Sequence, residues 1–345
     1  MLRSDWLLSH ASHLYGTNLM NRLLSAVIAV ALSASLGFVA HAEETIRIGL
    51  IGLDSSHAIA FSKAINAEKP SPDLAGAKIV AAFPGGSPDL SASADRIEGF
   101  TKQILEMGIE IVPSIDVLLK KVDAVVINSV DGRVHLEQVK PVFEAGLPVF
   151  VDKPMTASLS DAKELVALSK KSGTPFFSCS CLRYCDDVVA LQKENADGAI
   201  QGCVAFSPAK TDPTHPDLYW YGIHGVETLF TVMGPGCVSV QRTKVDGADI
   251  VTGVWKDGRI GTFRGIREGA FGYGVMAFGG KQNKYVPIRV SYNPMLAEVV
   301  KFFQTKKPPI APEETLEILA FMTAADASRD AGGKSVTLKS VMDVN

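Results

Sequence analysis

The sequence predicts an α/β protein in which a doubly wound parallel sheet is followed by an α+β part with an open, mostly antiparallel sheet. From residue 45 to about residue 180, short apolar strands alternate with amphipathic helices. After about residue 197, strand-like runs follow one another with few helices between them. The chain has 345 residues, 47% of them hydrophobic, which is enough for two cores.

Each strand of the first half is short and apolar, and a helical pattern follows it. The predicted strands are 46–53, 77–83, 124–129, 148–152 and 175–180. The predicted helices are 56–66, 91–107, 114–121, 135–145 and 160–171, with Ser114 and Ser160 as caps. This alternation predicts a Rossmann sheet with right-handed crossovers. We place this dinucleotide-binding-like domain at residues 43–155.

The second half, residues 156–345, predicts a substrate-binding α+β domain whose last helices pack back on the fold. Its predicted strands are 199–207, 237–245, 248–255, 260–267, 271–278 and 286–291. Its predicted helices are 223–233, 293–305 and 312–330. Lys256-Asp257-Gly258 supplies the turn of a hairpin between two of these strands.

The first 42 residues are predicted to lie outside the fold. A Met-Asn-Arg start at residue 20, an apolar run over 23–40 and Ala40-His41-Ala42 have the pattern of a secretory signal peptide. The alternative is a membrane anchor, because the run is close to spanning length. We expect cleavage near Ala42, a periplasmic or secreted mature chain, and no stable membrane association afterwards.

The charge and the cysteines set limits on partners. The net charge of -3, without a basic run, gives no reason to expect nucleic acid or an anionic membrane as a partner. All five cysteines lie between residues 179 and 237, so one or two disulfides or buried free thiols are expected. Their spacing matches no zinc pattern well, and no metal is predicted.

The turn after the first strand carries an altered nucleotide-binding pattern. Glycines in such a turn let the backbone approach a pyrophosphate. Here Gly52 takes the first position of the pattern, whereas Asp54 and His57 take the second and third. Ser55, Ser56 and the free N–H groups of the next helix remain as phosphate donors. An ordinary strand–helix turn is the alternative.

The second strand ends without the usual acidic ligand for the adenine ribose. Phe83-Pro84-Gly85-Gly86 stands there, and Asp89 follows only later. The sequence therefore does not discriminate NAD from NADP.

A group of motifs follows in a recognisable order. These are Asp131 and His135 after the third strand, Ala145-Gly146, Asp152-Lys153-Pro154, the stretch Ser180–Tyr184, and Gly222-Ile223-His224-Gly225-Val226-Glu227. Together they resemble the glucose–fructose oxidoreductase / inositol dehydrogenase (Gfo/Idh/MocA) family over essentially the whole mature chain. The resemblance implies NAD or NADP as cofactor, a carbohydrate substrate and a homo-oligomer. It also implies that Lys153 bridges the nicotinamide ribose and the substrate hydroxyl.

Elementary chemistry supports Lys153 and His224 as the catalytic residues. Lys153 ends a parallel strand, at the crevice where open α/β sheets bind ligands. An exposed surface ion pair is the alternative for it. His224 suits proton transfer at neutral pH, although a buried core histidine is the alternative. Trp220 stands where the family often has an aspartate, which puts the family's proton relay in doubt.

The remaining candidate residues bind the substrate or the cofactor. Arg183, Tyr221 and Trp255 are predicted to bind the sugar, because aromatic faces stack on pyranose rings. The cofactor-binding residues are predicted to be Gly52, Asp54, Ser55, Ser56, Asp131, His135 and Lys153.

Three functions of different classes remain open. The first is an oxidoreductase that moves hydride between a sugar or cyclitol hydroxyl carbon and NAD(P). The second is a sugar lyase, epimerase or hydrolase in which a tightly held cofactor acts transiently. The third is a cofactor-free carbohydrate-binding protein. The altered glycine pattern and the expected export favour the last two, whereas Lys153 and His224 favour chemistry.

Overall fold

The computed structural model describes residues 45–196 and 200–344, without the side chains of residues 195 and 196. Residues 45–344 form one compact unit. The predicted signal peptide and its cleavage near Ala42 lie outside the described residues. In the described part, no helix is long and apolar enough to cross a membrane.

The first sheet has six parallel strands in the order β3-β2-β1-β4-β5-β6. Its elements are β1 (Ile46–Ile51), α1 (Ser56–Ile65), β2 (Ala77–Phe83), α2 (Ser91–Ala94), α3 (Ile97–Glu106), β3 (Glu110–Ile111), α4 (Ile115–Leu119), β4 (Ala124–Ile127), α5 (His135–Glu144), β5 (Val149–Asp152), α6 (Leu159–Ser172) and β6 (Phe176–Cys179). A short 3₁₀ turn, Pro72–Leu74, precedes β2. This strand order is that of the Rossmann fold, and it confirms the predicted fold class. Because β6 belongs to this sheet, the first domain continues beyond residue 155.

Some predicted boundaries in the first half need correction. The helix predicted over 91–107 is two helices, α2 and α3, separated at Asp95 and Arg96. The N-cap of α6 is Ser158, whose Oγ accepts a hydrogen bond from Asp161 N at 3.1 Å, and Ser160 lies inside the helix. Two serines that are two positions apart and have the same capping chemistry cannot be distinguished by sequence pattern alone.

The second sheet has seven strands in the order β12-β11-β7-β10-β9-β8-β13. Its part of the chain comprises a 3₁₀ turn (Cys181–Tyr184), α7 (Asp186–Ala196), β7 (Ile200–Pro208), α8 (Asp217–Trp220), α9 (Ile223–Met233), β8 (Cys237–Val245), β9 (Ala248–Trp255), β10 (Ile260–Ile266), β11 (Gly274–Gly279), β12 (Asn283–Pro287), α10 (Asn293–Thr305), α11 (Pro312–Asp330), β13 (Val336–Thr337) and α12 (Leu338–Met342). Only β7 and β10 pair in parallel, so the sheet is mostly antiparallel, as predicted. The strand predicted over 286–291 lies earlier, at β12, and α7 is an element that was not predicted.

Helix α9 lies on the inner face of this sheet and is buried along its whole length. A Cβ on Gly225 of α9 would come within 2.2 Å of the Phe263 ring on β10, so this glycine permits the close approach. On the outer face, Val254, Ile260 and Phe278 lie in one row that crosses four strands, with Gly202 of β7 between Ile260 and Phe278, and these three side chains are 38–55% exposed. That face is open, and the homo-oligomer expected from the family resemblance stays a prediction.

Candidate active site

The β1–α1 turn keeps the geometry of a nucleotide-binding turn at its first position. Gly52 has φ +91°, and a Cβ there would lie 2.3 Å from Ser129 N on the neighbouring loop. Ser55 is the N-cap of α1, with its Oγ accepting a hydrogen bond from His57 N at 3.2 Å. Ser56 is exposed at the first helical position, and the first turn holds no acidic residue. The turn therefore presents a helix N-terminus to the edge of the sheet.

Gly52→Ala is expected to destabilise the fold by about 2–5 kcal/mol, because left-handed backbone strain adds to a clash with Ser129. Gly146→Ala is the matched control: its φ is +70°, but no atom lies within 4 Å of the added Cβ. The control variant should lose only the stability that the backbone strain costs, about 1–2 kcal/mol. Urea unfolding measures both. Equal losses in the two variants would contradict the importance of the close approach to Ser129.

Asp54 was predicted to bind the cofactor, and in the structure both of its carboxylate oxygens accept hydrogen bonds from protein groups. The side chain is fully buried. Its Oδ2 accepts a hydrogen bond from Ser93 Oγ at 2.6 Å, and its Oδ1 accepts one from Val130 N at 2.9 Å. Asp54 thus ties the β1 turn to α2 and to the loop after β4. The same contacts turn its negative charge away from a pyrophosphate.

Asp131 is also held by protein groups rather than exposed to a ligand, against its predicted cofactor role. Its carboxylate accepts hydrogen bonds from Arg133 N and Arg133 Nε at 2.9 Å each, and His215 Nε2 lies 3.3 Å away. Burial would raise the pKa of Asp131, but His215, Arg133 and Ser87 outweigh it and hold the pKa far below the usual range. Arg133 also pairs with Asp89, which ties the loop after β2 to the loop after β4.

His135 braces two loops, and its predicted cofactor contact is likewise corrected. The ring is fully buried. Its Nε2 lies 2.9 Å from Ser129 O, and its Nδ1 lies 3.0 Å from Pro154 O, next to the cis Lys153–Pro154 peptide. His135 therefore connects the loop after β4 to the loop that carries Lys153, and any effect of this histidine on the site is through those two loops.

Lys153 lies half-buried at the carboxyl end of β5, as predicted. Within the described residues its ammonium makes neither a hydrogen bond nor an ion pair. The preceding Asp152 is buried, and its Oδ2 lies 2.6 Å from His57 Nδ1. Burial would raise the pKa of Asp152, but His57 and Lys153 outweigh it and lower the pKa to about 2. Asp152 is therefore a carboxylate at neutral pH, and Lys153 remains available to a ligand.

His224, near the start of α9, lies close to Lys153 across the crevice. Its Nδ1 is 2.7 Å from Ser180 Oγ, in the loop that follows β6. Burial and then the positive charges of Lys153 and His57 hold the pKa of His224 well below its usual range. Tyr221 packs edge-on against the His224 ring at 5.1 Å. The imidazole is therefore neutral at pH 7, which is the form that accepts a proton.

Tyrosines line the same crevice. Tyr221 was predicted as a substrate-binding residue, and its hydroxyl lies 3.1 Å from that of Tyr273. Tyr292 packs against His57 with ring centroids 5.0 Å apart. Tyr273, Tyr292 and Ser180 were missed, because they come from separate elements that only the fold brings to Lys153. His57 was noticed only as a replaced glycine, and its pairing with Asp152 carries no sequence signal.

Arg183 does not line the crevice, so its predicted substrate contact is corrected. The side chain is 4% exposed. Its Nε pairs with Glu227, one turn after His224 on α9, and its Nη2 lies 2.7 Å from Glu314 Oε1 on α11. Arg183 thus fixes the helix that carries His224, and it contacts no reacting group.

Trp255 is a core residue, and the prediction that it binds sugar is wrong. The residue is 1% exposed, and its Nε1 donates a hydrogen bond to Gly234 O at 2.7 Å. Its ring packs against Phe230 with centroids 5.5 Å apart. Alternating inward positions on a sheet cannot be assigned to core or ligand from the sequence alone, and here burial under α9 decides for the core.

The cysteines and an outlying cleft add no chemistry to this site. All five cysteines are buried free thiols, and burial raises the pKa of Cys181, Cys203 and Cys237 to about 12. No group of three or more potential metal ligands exists among the residues that the structure describes. A cleft of about 430 Å³ next to Asp217 lies elsewhere, and Lys244 and Arg329 pair with that aspartate.

Comparison with protein families agrees with this architecture. The family described as "Oxidoreductase family, NAD-binding Rossmann fold" (GFO_IDH_MocA) matches residues 46–179. Inositol 2-dehydrogenase 3 of Saccharopolyspora erythraea is 26% identical over 208 residues, 57% of this chain and 56% of that protein. The uncharacterized oxidoreductase YhhX of Escherichia coli is 30% identical over 111 residues, 29% of this chain and 32% of that protein. The chain thus covers about half and about a third of the lengths of these relatives.

Solved structures share the fold over most of the chain. A scyllo-inositol dehydrogenase from Lactobacillus casei, with bound NAD(H) and scyllo-inositol, has a TM-score of 0.70 at 16% identity and covers 86% of this chain and 100% of its own. A probable dehydrogenase from Thermotoga maritima has a TM-score of 0.69 at 20% identity, with 86% and 100% covered. These structures show the shared fold, and residues 46–179 of this chain match the Gfo/Idh/MocA oxidoreductase family.

Proposed function

We propose that this protein oxidises a hydroxyl-bearing carbon of a sugar or cyclitol with NAD or NADP. The observation that carries the proposal is that Lys153, which makes no ion pair or hydrogen bond among the described residues, acts electrostatically on a neutral, buried His224 near the carboxyl edge of the Rossmann sheet. The neighbouring hydroxyls of Tyr221 and Tyr273 can hydrogen-bond a polyol.

The residues at this edge fit a dinucleotide. Gly52 permits the tight turn, and Ser56 is exposed at the N-terminus of a ten-residue helix. The carboxylate of Asp54 is buried, and both of its oxygens accept hydrogen bonds from protein donors, so they are not exposed at the turn. Lys153 lies at the carboxyl end of β5, which is two strands away from β1 in the sheet, where a nicotinamide would meet the substrate.

The residues of the chain divide the chemistry between them. The chemistry that a bound NAD(P) supplies is the acceptance of a hydride. The ammonium of Lys153 holds the substrate oxygen and stabilises the negative charge that develops when its proton leaves. The neutral imidazole of His224 accepts that proton at Nε2, which requires the tautomer whose Nδ1–H donates a hydrogen bond to Ser180 Oγ, 2.7 Å away. Arg183, through Glu227, keeps the helix of His224 in place.

The test is to titrate the purified protein with NAD(H) and NADP(H) by calorimetry, and to analyse the denatured protein for retained nucleotide by mass spectrometry. A panel of polyols and sugars then follows, with the formation of reduced nucleotide as the readout. Binding of one nucleotide and its polyol-dependent reduction are the expected results. Product formation without net redox change would overturn the proposal in favour of a lyase, epimerase or hydrolase. If no nucleotide binds, the proposal fails and the cofactor-free carbohydrate-binding function remains.

The pH dependence of oxidation is a separate prediction. Because burial and Lys153 lower the pKa of His224, the base form persists as the pH falls through 6.5. We expect kcat/KM to remain level through about pH 6.5 and to fall only at lower pH, since kcat/KM reports the free enzyme. His224→Gln should lower kcat about 10²–10⁴-fold. A loss of activity centred near pH 6.5 in the wild type would contradict the assignment.

A further inference from the structure

His57 occupies the third position of the nucleotide-binding pattern, where a small residue is usual, and it contacts the element that carries Lys153. The pKa of Asp152 is about 2, so its carboxylate only accepts hydrogen bonds. The 2.6 Å contact therefore requires that His57 Nδ1 is the protonated ring nitrogen and that it donates a hydrogen bond to Asp152 Oδ2. This contact spans 95 residues of sequence and joins the first helix of the sheet to its fifth strand.

Two aromatic rings hold the His57 side chain in this orientation. Phe61, one turn later on α1, stacks on it with centroids 5.2 Å apart at 22°. Tyr292, at the start of α10, meets it edge-on at 5.0 Å. The residue as a whole is 8% exposed. A histidine enclosed in this way delivers its N–H to one place, at little cost in side-chain entropy.

The arrangement leaves Lys153 unusually free for a lysine that follows a buried carboxylate. Asp152 and Lys153 are adjacent in sequence, and each affects the other electrostatically. A buried carboxylate without a donor would draw the nearest cation, because an unpaired buried charge is strongly unfavourable. Yet the side-chain partner of Asp152 is His57, at 2.6 Å, and Lys153 makes no ion pair among the described residues.

We propose that His57 is a positioning residue that occupies the Asp152 carboxylate and thereby keeps the Lys153 ammonium free for the substrate. The inference rests on the proposed function, since it assigns Lys153 a task in the reaction. It explains in physical terms how a turn without the third glycine belongs to a working site: the side chain in that position organises the lysine.

The test measures the state of Lys153 directly and needs neither cofactor nor substrate. Full-length wild type and His57→Gln are treated with trinitrobenzenesulfonate, which reacts with free amines, and modification of Lys153 is followed by peptide mass spectrometry. In the variant, the ammonium of Lys153 should form an ion pair with the carboxylate of Asp152. Because a close opposite charge favours the ammonium form, labelling should slow about tenfold or more. The exposed Lys307 serves as an internal reference and should label equally in both proteins.

A double variant separates this role from a merely structural one. In His57→Gln/Asp152→Asn no carboxylate remains to capture Lys153, so labelling should return to near the wild-type rate, as it should in Asp152→Asn alone. Unchanged labelling in His57→Gln, or a loss that the second substitution does not reverse, would overturn the proposal. A crystal structure of His57→Gln should place Lys153 Nζ within about 4 Å of Asp152. His57→Asn replaces His57→Gln if the latter does not fold.

Activity measurements then connect the two proposals without confusing them. If the protein oxidises polyols, His57→Gln should lower kcat and the double variant should recover part of it. If no polyol is oxidised, the proposed function fails while the labelling result still decides the role of His57.

Discussion

Lys153→Met is expected to lower kcat/KM for polyol oxidation about 10²–10³-fold while leaving the fold intact. The loss follows from removal of the cation that we propose to hold the substrate oxygen, where stabilisation of a developing charge is usually a large contribution. Stability should hardly change, because Lys153 makes no ion pair or hydrogen bond in the described part of the chain. Steady-state kinetics and thermal unfolding measure the two effects separately.

Two controls sharpen this result. Lys121→Met removes a surface lysine that pairs with Glu110 at 3.1 Å, and it should leave kcat/KM unchanged. Lys153→Arg keeps the positive charge, but its planar group cannot take the place of a compact ammonium, so activity should remain low. Nucleotide affinity of Lys153→Met should stay within about tenfold of the wild type. Full activity in Lys153→Met would remove this residue from the mechanism.

Arg183→Met is expected to destabilise the protein by about 3–5 kcal/mol, the largest stability effect anticipated here. Removing the guanidinium leaves Glu227 buried without its partner and deprives Glu314 of its ion pair. Burial already raises the pKa of Glu227, and Arg183 opposes that rise. In the variant the pKa of Glu227 rises further, so ionising this carboxyl group in the folded protein costs more than ionising it in the unfolded chain. The loss of stability should therefore grow as the pH rises above about 4.5.

Lys170→Met is the matched control, because it breaks a pair with Glu313 whose side chains are 66% and 61% exposed. It should cost less than about 1 kcal/mol. The double variant Arg183→Met/Glu227→Gln should recover part of the stability, since a neutral amide costs less to bury than a carboxylate. Chemical denaturation at several pH values gives all three free energies. Equal losses for Arg183→Met and Lys170→Met would show that the buried pairs contribute no more than surface pairs.

Much of the fold follows from the sequence, because hydrophobic periodicity is a local property. The alternation before residue 180 predicts five of the six strands of the Rossmann sheet and misses only the two-residue β3, and helix α9 is predicted at its observed bounds. Errors arise where local signals are ambiguous. Ser158 and Ser160 offer the same capping chemistry, and a turn at Asp95 divides a pattern that reads as one helix.

The candidate site divides in the same way. The positions of Lys153 and His224 follow from motifs beside a strand end and a helix start. The contacts that surround these two residues in the folded protein do not follow from the sequence. Arg183 and Trp255 look like ligand-binding residues by type, but one lies in a buried ion pair and the other in the core. Asp54, Asp131 and His135 stand where cofactor contacts are expected, and instead they tie loops together.

The sequence by itself determined the fold class, the order of the sheets and the two candidate catalytic residues, since each rests on spacing along the chain. Only the tertiary structure decided which polar groups are already occupied by protein partners. His57 and Asp152 are 95 residues apart, and Asp54 and Val130 are 76 apart, yet both pairs are in contact. Whether a buried charge is free or paired depends on groups brought together by folding, and a linear pattern holds no record of those distances.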